Sequence, residues 1–238
     1  MNDSIAMICH EIRNPIAALQ NGIELVASDT LDGDGLMKVS EMMRRQLGQV
    51  TSLLDDLSNG DCLTSGKLKV KREPVDLARI SLHALDTIRR LIDDKRHELS
   101  VTLPPAGTVW VRGDQNRLIG VIVNLLANAA KYTNSGGRIG IKLIADSGHA
   151  TLTVRDSGIG ISKEFQPQIF DLYSQGPRIP DAAEHGLGLG LPLVRNIVRL
   201  HEGEVSVYSA GEGLGSEFTV RLPRLQRPNG ANGAKGHS

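Results

Sequence analysis

The sequence contains few aromatic residues and few cysteines, and its charges are balanced. Aromatic residues make up 3% of the 238 residues and apolar residues 40%, so we expect a largely aliphatic core. The two cysteines, Cys9 and Cys62, are too few for a disulfide framework and are typical of a reducing cytoplasm. The 27 basic and 27 acidic residues leave no net charge, which argues against a nucleic-acid-binding protein.

Long apolar runs are also missing from the sequence. No run approaches the roughly 20 residues that a membrane-spanning helix needs. The longest candidate, residues 118–130, is interrupted by two asparagines. No signal peptide is visible at the start of the chain. We therefore expect a cytoplasmic protein without a membrane segment in this chain.

Two segments near the N-terminus have the apolar spacing of amphipathic helices. Apolar residues recur every three or four positions over 5–27 and again over 36–57, with a polar turn at 28–35 between them. An antiparallel hairpin of two such helices cannot cover both apolar stripes, so the spacing predicts a four-helix bundle formed by a dimer. We expect the second helix to fray or end at Asn59-Gly60-Asp61.

From residue 68 onward the pattern predicts an α/β sandwich with a mixed sheet, which makes the whole fold α+β. Expected strands lie near 68–72, 99–103, 109–112, 138–145, 150–156, 204–209 and 216–222. Expected helices lie near 75–94, 114–131, 163–170 and 190–201. These patterns predict a helical domain at 1–64, an α/β domain at 65–225 and a flexible tail or linker at 226–238.

Two asparagines lie four residues apart inside the apolar run of the predicted helix 114–131. Asn124 and Asn128 share a helix face, and Lys131 follows about one turn later, next to Tyr132. Burying two carboxamides is costly unless something satisfies them. A hydrated Mg²⁺ with phosphate oxygens would do so, whereas a helix with a polar seam explains this segment equally well when it is taken alone.

The first predicted helix contains a histidine and a glutamate just before a proline. Pro15 removes the backbone hydrogen bond to the carbonyl of Glu11, four residues earlier. A neutral imidazole such as that of His10 can attack phosphorus if its second nitrogen releases a proton, and Glu11 is the adjacent carboxylate that could accept it. A lone His-Glu pair is more often a surface feature of a helix.

Glycine-rich segments occur at two further points. Asp156-Ser157-Gly158-Ile159-Gly160 follows an alternating strand, and its glycines would let the backbone approach a flat ligand while Asp156 accepts a hydrogen bond from an exocyclic amine. Alone, this pattern is more often a turn. Gly186, Gly188 and Gly190 lead into the predicted helix 190–201, whose N-terminus offers N–H groups to phosphates.

Together and in this order, the motifs resemble those of the two-component sensor histidine kinases over residues 1–225. The similar segments are His10–Pro15 for the H-box, Asn124–Thr133 for the N-box, Asp156–Gly160 for the first glycine box, Ile169–Tyr173 for the F-box, Gly186–Leu191 for the second glycine box and Gly213–Phe218 for the last. The resemblance implies a dimerisation and phosphoacceptor hairpin followed by a Bergerat-type ATP-binding domain.

The resemblance also implies roles for individual residues. His10 accepts the γ-phosphoryl group of ATP with Glu11 as base, and Asn14 aligns the water that dephosphorylates the partner. Asn128 ligates Mg²⁺ with support from Asn124, Lys131 contacts phosphates, and Tyr132 lines the nucleotide site. Asp156 binds the adenine amine, and Gly158 and Gly160 allow its close approach. Gly186, Gly188 and Gly190 shape the phosphate contacts and the hinge of a lid, which is the loop between Ser174 and His185.

The implied function is ATP-dependent autophosphorylation of His10 and transfer of the phosphoryl group to an aspartate of a response-regulator receiver domain. Two alternatives remain open: an ATPase of the gyrase or mismatch-repair kind, which shares the nucleotide fold, and a phosphatase-dominant or non-catalytic relative that acts as an interaction module. Three features depart from the family pattern. Gln175 replaces a common Arg, Leu187 replaces Thr or Ser, and Asn59-Gly60-Asp61-Cys62 interrupts a region that is usually helical. Because His10 follows only nine residues, we expect a part of a longer sensor protein.

Overall fold

The computed structural model describes residues 2–28, 31–64, 69–174, 176 and 187–226, and it describes side chains from residue 12 onward, except those of 49 and 52–64. The chain forms two compact units. The first comprises residues 1–68 with 171–190, and the second comprises 69–170 with 191–238. The predicted domain boundaries stay predictions, and 227–238 of the predicted tail lies outside the described residues.

The first unit contains an antiparallel helical hairpin. Helix α1 spans Asn2–Ala27 and helix α2 spans Gly33–Thr64. Asp32 caps the start of α2, where its Oδ1 accepts a hydrogen bond from the Gly35 amide at 2.7 Å. The expectation that α2 frays or ends at Asn59-Gly60-Asp61 is wrong, because the helix continues to Thr64. One glycine inside a helix costs only about 1 kcal/mol, which a long helix tolerates.

The apolar stripes of the hairpin are only partly covered within one chain. Ile16 is 41% exposed, Ile23 57% and Leu47 59%. Other large apolar side chains on the two helices are also exposed, namely Leu25, Val26, Leu36 and Met37. The hairpin therefore presents apolar side chains to solvent along both helices, as the spacing of the sequence predicted.

The second unit is built on a seven-stranded mixed sheet. Its strands are β1 (Glu73–Asp76), β2 (Glu98–Thr102), β3 (Trp110–Gly113), β4 (Arg138–Ala145), β5 (His149–Asp156), β6 (Glu204–Tyr208) and β7 (Ser216–Leu225). The strand order is β1-β3-β7-β5-β4-β2, and β6 also pairs with β7. Strands β2 and β4 are parallel, whereas every other pair is antiparallel.

Three helices cover one face of this sheet. They are α3 (Leu77–Asp94), α4 (Gln115–Tyr132) and α5 (Gly190–Leu200). Alternate strand residues point toward the helices and are buried, including Ile139, Ile141, Leu143, Ala150, Leu152, Val154, Phe218, Val220 and Leu222. The core is mainly aliphatic, and the predicted α+β fold class is confirmed. Within the residues that the structure describes, no helix is both long and apolar enough to cross a membrane.

Two predicted elements of the second unit are wrong. The strand expected at 68–72 lies instead at Glu73–Asp76, where it pairs with β3 in the register Glu73↔Gly113. The helix expected at 163–170 is reduced to a 3₁₀ turn at Gln166–Gln168. Pro167 lies within that turn and has no amide hydrogen to donate, so a longer helix is disfavoured there.

Helix α4 begins at a well-bonded aspartate. Asp114 Oδ1 accepts hydrogen bonds from the amides of Asn116 (3.1 Å) and Arg117 (3.2 Å), and Oδ2 accepts one from the amide of Lys71 (3.2 Å). The amide of Asp114 donates to Nε2 of the buried His201 at 2.9 Å. Burial alone would raise the pKa of Asp114, but the amide hydrogen bonds and the charge of Arg117 lower it below 3.8. The cap therefore stabilises the fold above that pH and is lost only as the pH falls through the lowered pKa.

We predict opposite effects on stability from two glycine-to-alanine changes near α4. A Cβ added at the exposed Gly120 meets no atom within 4 Å, so Gly120→Ala should raise the free energy of unfolding by about 0.5–1 kcal/mol. A Cβ added at Gly113 would lie 2.4 Å from Cδ2 of His201, so Gly113→Ala should lower that free energy by about 1–3 kcal/mol. Urea unfolding measures both, and equal shifts of the same sign would contradict this packing.

Candidate active site

The two asparagines of α4 are in direct contact. Asn128 Nδ2 donates a hydrogen bond to Asn124 Oδ1 at 3.1 Å, and both side chains are only partly buried. This bond fixes the Asn128 amide with its oxygen turned away from Asn124. Among the described residues, none donates a hydrogen bond to Asn128 Oδ1. An oriented amide oxygen of this kind suits a hard cation such as Mg²⁺.

The described residues contain no group of three or more His, Cys, Asp or Glu side chains that could hold a metal ion. Any cation at the Asn128 oxygen would therefore depend on that amide, on water and on oxygens supplied by a ligand. This donor set fits Mg²⁺, which keeps several waters and is commonly bound together with substrate phosphates.

The last turn of α4 carries a cation over an aromatic ring. Lys131 Nζ lies 5.4 Å from the centroid of the Tyr132 ring, within the range of a cation–π contact. Tyr132 is 37% exposed, and its partial burial raises the pKa of its phenol. The phenol therefore stays protonated at neutral pH and can serve as a hydrogen-bond donor.

The loop after β5 closes directly on the end of α4. The amide of Ile159 donates to the carbonyl of Tyr132 at 3.0 Å. A Cβ added at Gly158 would lie 2.2 Å from that carbonyl oxygen, so only glycine permits this approach. Gly160 has φ +67°, and a Cβ there would lie 2.0 Å from the carbonyl oxygen of Gly211. In this structure, both glycines allow close contacts between backbone segments, whereas their approach to a ligand stays a prediction.

A second glycine-rich loop, 211–215, is bonded to the first. The amide of Gly213 donates to the carbonyl of Ile159 at 2.6 Å, and that of Gly215 donates to the carbonyl of Gly158 at 3.1 Å. Gly215 has φ +71°, and a Cβ there would lie 2.1 Å from the carbonyl oxygen of Asp156. The two loops are therefore hydrogen-bonded to each other at the end of α4.

Asp156 lies at the start of the first of these two loops, and most of the acceptor positions of its carboxylate are occupied. It is 7% exposed. Its Oδ1 accepts from the amides of Gly158 (2.8 Å) and Ser216 (3.3 Å), and its Oδ2 accepts from Ser216 Oγ (2.5 Å). An ionised carboxylate offers about four acceptor positions. One position therefore remains for a further donor, which is what the predicted adenine amine requires.

Ser216 is a candidate site residue to which the sequence motifs alone gave no role. It follows Gly215 at the end of the last glycine-rich segment, but its partner Asp156 lies 60 residues earlier in the chain. Its signals in the sequence were its place within the segment Gly213–Phe218, which resembles the last box of the family, and its position at the start of a predicted strand. Its hydroxyl and amide both orient the Asp156 carboxylate.

The glycine-rich segment before α5 is described only in part. Gly186 and the departure at Gln175 lie outside the described residues. Gly188 has φ +68°, and a Cβ there would lie 2.7 Å from the carbonyl oxygen of Ser174. Gly190 is the first residue of α5. Gly188 therefore has a left-handed conformation in close contact with Ser174, and its role in a hinge stays a prediction.

The departure at Leu187 serves packing. Leu187 and Leu189 are almost completely buried and form a small apolar cluster with Ile12 and Tyr173. A Thr or Ser at position 187 would bring a hydroxyl into this cluster. Leu187 therefore makes apolar contacts within the first unit that a Thr or Ser at this position would weaken.

The histidine motif lies on α1. His10 and Glu11 belong to this helix, but their side chains lie outside those described. Asn14 is exposed and comes four residues after His10, so the two share a helix face. Pro15 lies inside α1, as expected from the sequence.

Comparison with known proteins decides the family. The model of the His Kinase A (phospho-acceptor) domain matches residues 1–61, and that of the histidine kinase-, DNA gyrase B- and HSP90-like ATPases matches residues 113–226. The solved mycobacterial sensor histidine kinase MprB is 32% identical, over 64% of this chain and 97% of that chain, with a TM-score of 0.56. The chain belongs to the two-component sensor histidine kinases. The predicted resemblance is thereby confirmed.

Two further sensor kinases show how much of a relative's length the chain covers. The sensor protein kinase PmrB of Pseudomonas aeruginosa is 33% identical over 91% of this chain but only 44% of its own length, so the chain spans less than half of this relative. The histidine kinase ThkA, solved in complex with the response regulator protein TrrA, is 21% identical, with a TM-score of 0.70 over 94% of this chain and 61% of that chain. The likeness to ThkA shows the fold alone.

Within this histidine kinase domain, we predict that Ser216 stabilises the buried Asp156. Ser216→Ala removes the hydroxyl donor from Oδ2, and an unsatisfied buried acceptor typically costs about 1–3 kcal/mol. The matched control is Ser206→Ala, an exposed serine on the neighbouring strand β6, which should change stability by less than about 0.5 kcal/mol. Urea unfolding compares the two variants. Equal effects would show that the hydroxyl contributes nothing to holding the carboxylate.

Proposed function

We propose that this chain is the kinase part of a sensor histidine kinase and uses Mg²⁺-ATP to phosphorylate His10. The observation that carries this proposal is Asp156, a buried carboxylate that retains one acceptor position, in a chain that also contains a phospho-acceptor hairpin. A gyrase-type ATPase would not account for the phospho-acceptor domain. A non-catalytic relative would not need the oriented amide of Asn128.

The nucleotide roles follow from the contacts of the site. Asp156 accepts a hydrogen bond from the adenine amine through its remaining position, while Ser216 holds the carboxylate. Asn128 supplies its Oδ1 to Mg²⁺, and Asn124 keeps that amide oriented. When bound, Mg²⁺ neutralises charge on the phosphates. Lys131 contacts the phosphates and Tyr132 lines the nucleotide, with further phosphate contacts from Gly186, Gly188 and Gly190.

The chemical step takes place at the histidine of α1. His10 Nε2 attacks the γ-phosphorus, the new N–P bond forms, and the P–O bond to ADP breaks with its electron pair remaining on the ADP oxygen. Glu11 accepts the proton that leaves Nδ1, which keeps the phosphorylated imidazole neutral. The assignment of the base rests on the sequence pair His10-Glu11 and on the resemblance to the family.

We predict that Asn128→Ala and Asp156→Ala lose different parts of nucleotide binding. Asp156→Ala should weaken ATP, ADP and adenosine alike by about ten- to a hundredfold, because a charge-assisted hydrogen bond to the base is lost. Asn128→Ala should remove the Mg²⁺-dependent part of ATP affinity and leave adenosine affinity unchanged. Calorimetric titration with and without EDTA separates the two effects.

The matched control for the asparagine is Asn116→Ala, an exposed asparagine in the first turn of the same helix. It should bind like the parent. Asp156→Asn keeps the size of the side chain and guards against loss of folding in the alanine variant. Unchanged adenosine affinity in both Asp156 variants would show that this carboxylate does not bind the base.

We predict that His10→Gln abolishes labelling by γ-³²P-ATP while nucleotide affinity stays at the level of the parent. The label on the parent should be lost in acid and kept in base, as expected for a phosphoramidate. His83→Gln, at an exposed histidine of α3, is the matched control and should label normally. Label that persists in the His10 variant would assign the phosphoryl group to another residue.

The phosphoryl group is proposed to move from His10 to an aspartate of a receiver domain. ThkA is solved with a response regulator, and a phosphohistidine is reactive enough to pass its phosphoryl group on. Asn14 shares the face of His10 and is neutral, which suits alignment of a water for the reverse, dephosphorylating reaction. The labelled parent should lose its label to an intact receiver but not to one whose aspartate is replaced by alanine. We also propose that the chain is cytoplasmic, because ATP and receiver domains are both located in the cytoplasm.

We predict a homodimer through the hairpin, because exposed apolar side chains run along both helices. A second copy of the hairpin has the matching apolar stripes and would complete a four-helix bundle. Leu47→Glu, at a 59% exposed position, should therefore dissociate the dimer without unfolding the chain. Lys38→Glu, at an exposed polar position of α2, should leave it intact. Light scattering at about 10 μM measures both, and a monomeric parent would contradict the dimer.

A further inference from the structure

We propose that Lys95 and His97 are positioning residues of the nucleotide site, which they support by holding the C-terminal end of α4. This inference rests on the proposed function, because the same end of α4 carries Asn128, Lys131 and Tyr132. Neither residue belongs to a motif of the sequence. Both follow α3, in the short segment that leads to β2.

The contacts satisfy carbonyls that the helix itself cannot satisfy. The last four carbonyl groups of an α-helix have no partner within the helix. Lys95 Nζ donates to the carbonyl of Ala130 at 2.9 Å and to that of Lys131 at 3.2 Å. His97 Nε2 lies 3.2 Å from the same Ala130 oxygen and is its second donor. The ammonium charge at a helix C-terminus also interacts favourably with the helix dipole.

The segment that carries the two donors is itself held in place. The amide of His97 donates to the carbonyl of Ile92 at 3.0 Å, and the amide of Gly136 donates to the carbonyl of Lys95 at 2.9 Å. Between the donors, Arg96 adopts φ +54°, a left-handed conformation that is unfavourable for a residue with a side chain. This strained conformation brings the side chains before and after it onto the same helix end.

The contact of His97 with α4 leaves one of its ring nitrogens buried without a hydrogen bond to any described residue. His97 is 8% exposed, and its Nδ1 is buried without a hydrogen-bond partner among the described residues. Because a carbonyl oxygen only accepts, Nε2 must carry the hydrogen of the bond to Ala130, and within the described part of the chain this leaves Nδ1 with no bond of its own. A residue that served only to fill space would not need a polar ring at this position. The bond to α4 explains why the ring is there.

Loss of these donors would first destabilise the last turn of α4. Lys131 is itself one of the two residues whose carbonyls are capped, and Tyr132 follows it. Asn128 lies one turn earlier, so fraying of the end would disturb the metal-binding amide and the phosphate-binding lysine together. The loop after β5 would remain attached through Tyr132 and Ile159. The expected consequence is therefore weaker binding of the phosphate end of the nucleotide.

The test compares three variants of the full chain. Lys95→Met keeps the aliphatic stem and removes both donors, so it should raise the Kd for Mg²⁺-ATP and the KM for ATP in autophosphorylation by about tenfold. Lys95→Arg retains donors and a charge and should restore binding to within about threefold of the parent. Arg96→Met removes the neighbouring exposed cation without touching α4 and should bind like the parent.

The division between KM and kcat separates positioning from a general loss of structure. A variant that is merely less stable has fewer active molecules, which lowers the apparent kcat and leaves KM unchanged. If Lys95→Met does not fold, Lys95→Leu, which also lacks a donor, is measured in its place. Parent-like affinity and KM in whichever of these variants folds would overturn the positioning role, as would an equal loss in Arg96→Met.

The outcomes also distinguish this inference from the proposed function. A parent that binds Mg²⁺-ATP and labels His10, together with a Lys95 variant that does the same with unchanged KM, overturns only the positioning role. A parent that binds no Mg²⁺-ATP overturns the proposed function and the positioning role together. A raised KM that Lys95→Arg restores supports both.

Discussion

The candidate site depends on fixing one helix, α4, at both of its ends. Its buried face packs on the sheet through aliphatic side chains, but apolar packing alone does not determine how far a helix slides or rotates. At the N-terminus, Asp114 caps the helix and its own amide is bonded to His201. At the C-terminus, the carbonyl of Tyr132 is bonded to Ile159. These directional bonds set the position of the face that carries Asn124 and Asn128.

The glycines of the site have a structural purpose before any ligand arrives. Gly158, Gly160 and Gly215 each bring backbone within a distance of another backbone carbonyl that a Cβ would forbid. The hydrogen bonds of Gly158 and Gly215 join the two loops, and Asp156 is held beside Ser216 with one acceptor position remaining. In the proposed contact with adenine, the carboxylate is oriented before binding, so the nucleotide would not have to supply that ordering energy, which would favour affinity.

Much of this arrangement could be predicted because it depends on residues that lie only a few positions apart in the sequence. The helical hairpin follows from apolar residues at every third or fourth position, and the contact between Asn124 and Asn128 follows from their separation of four residues. The order of the motifs indicated the family. The aliphatic core of the mixed sheet also agrees with the alternating strands of the sequence.

The remaining features depend on contacts between distant residues, which periodicity does not report. Lys95 meets Ala130 across 35 residues of sequence, and His201 meets Asp114 across 87. The first strand was expected at 68–72, but pairing with β3 determined that it lies at Glu73–Asp76. The segment 163–170 has apolar residues at helical spacing, but Pro167 lacks an amide hydrogen and only a 3₁₀ turn forms, at Gln166–Gln168.

The most direct test of this account is a crystal structure of the full chain with Mg²⁺ and a non-hydrolysable ATP analogue. The account predicts that Asp156 accepts a hydrogen bond from the adenine amine while keeping its bonds to Ser216. It also predicts that Asn128 Oδ1 ligates the metal while its Nδ2 remains bonded to Asn124. A nucleotide bound elsewhere, or a metal held without Asn128, would contradict the account.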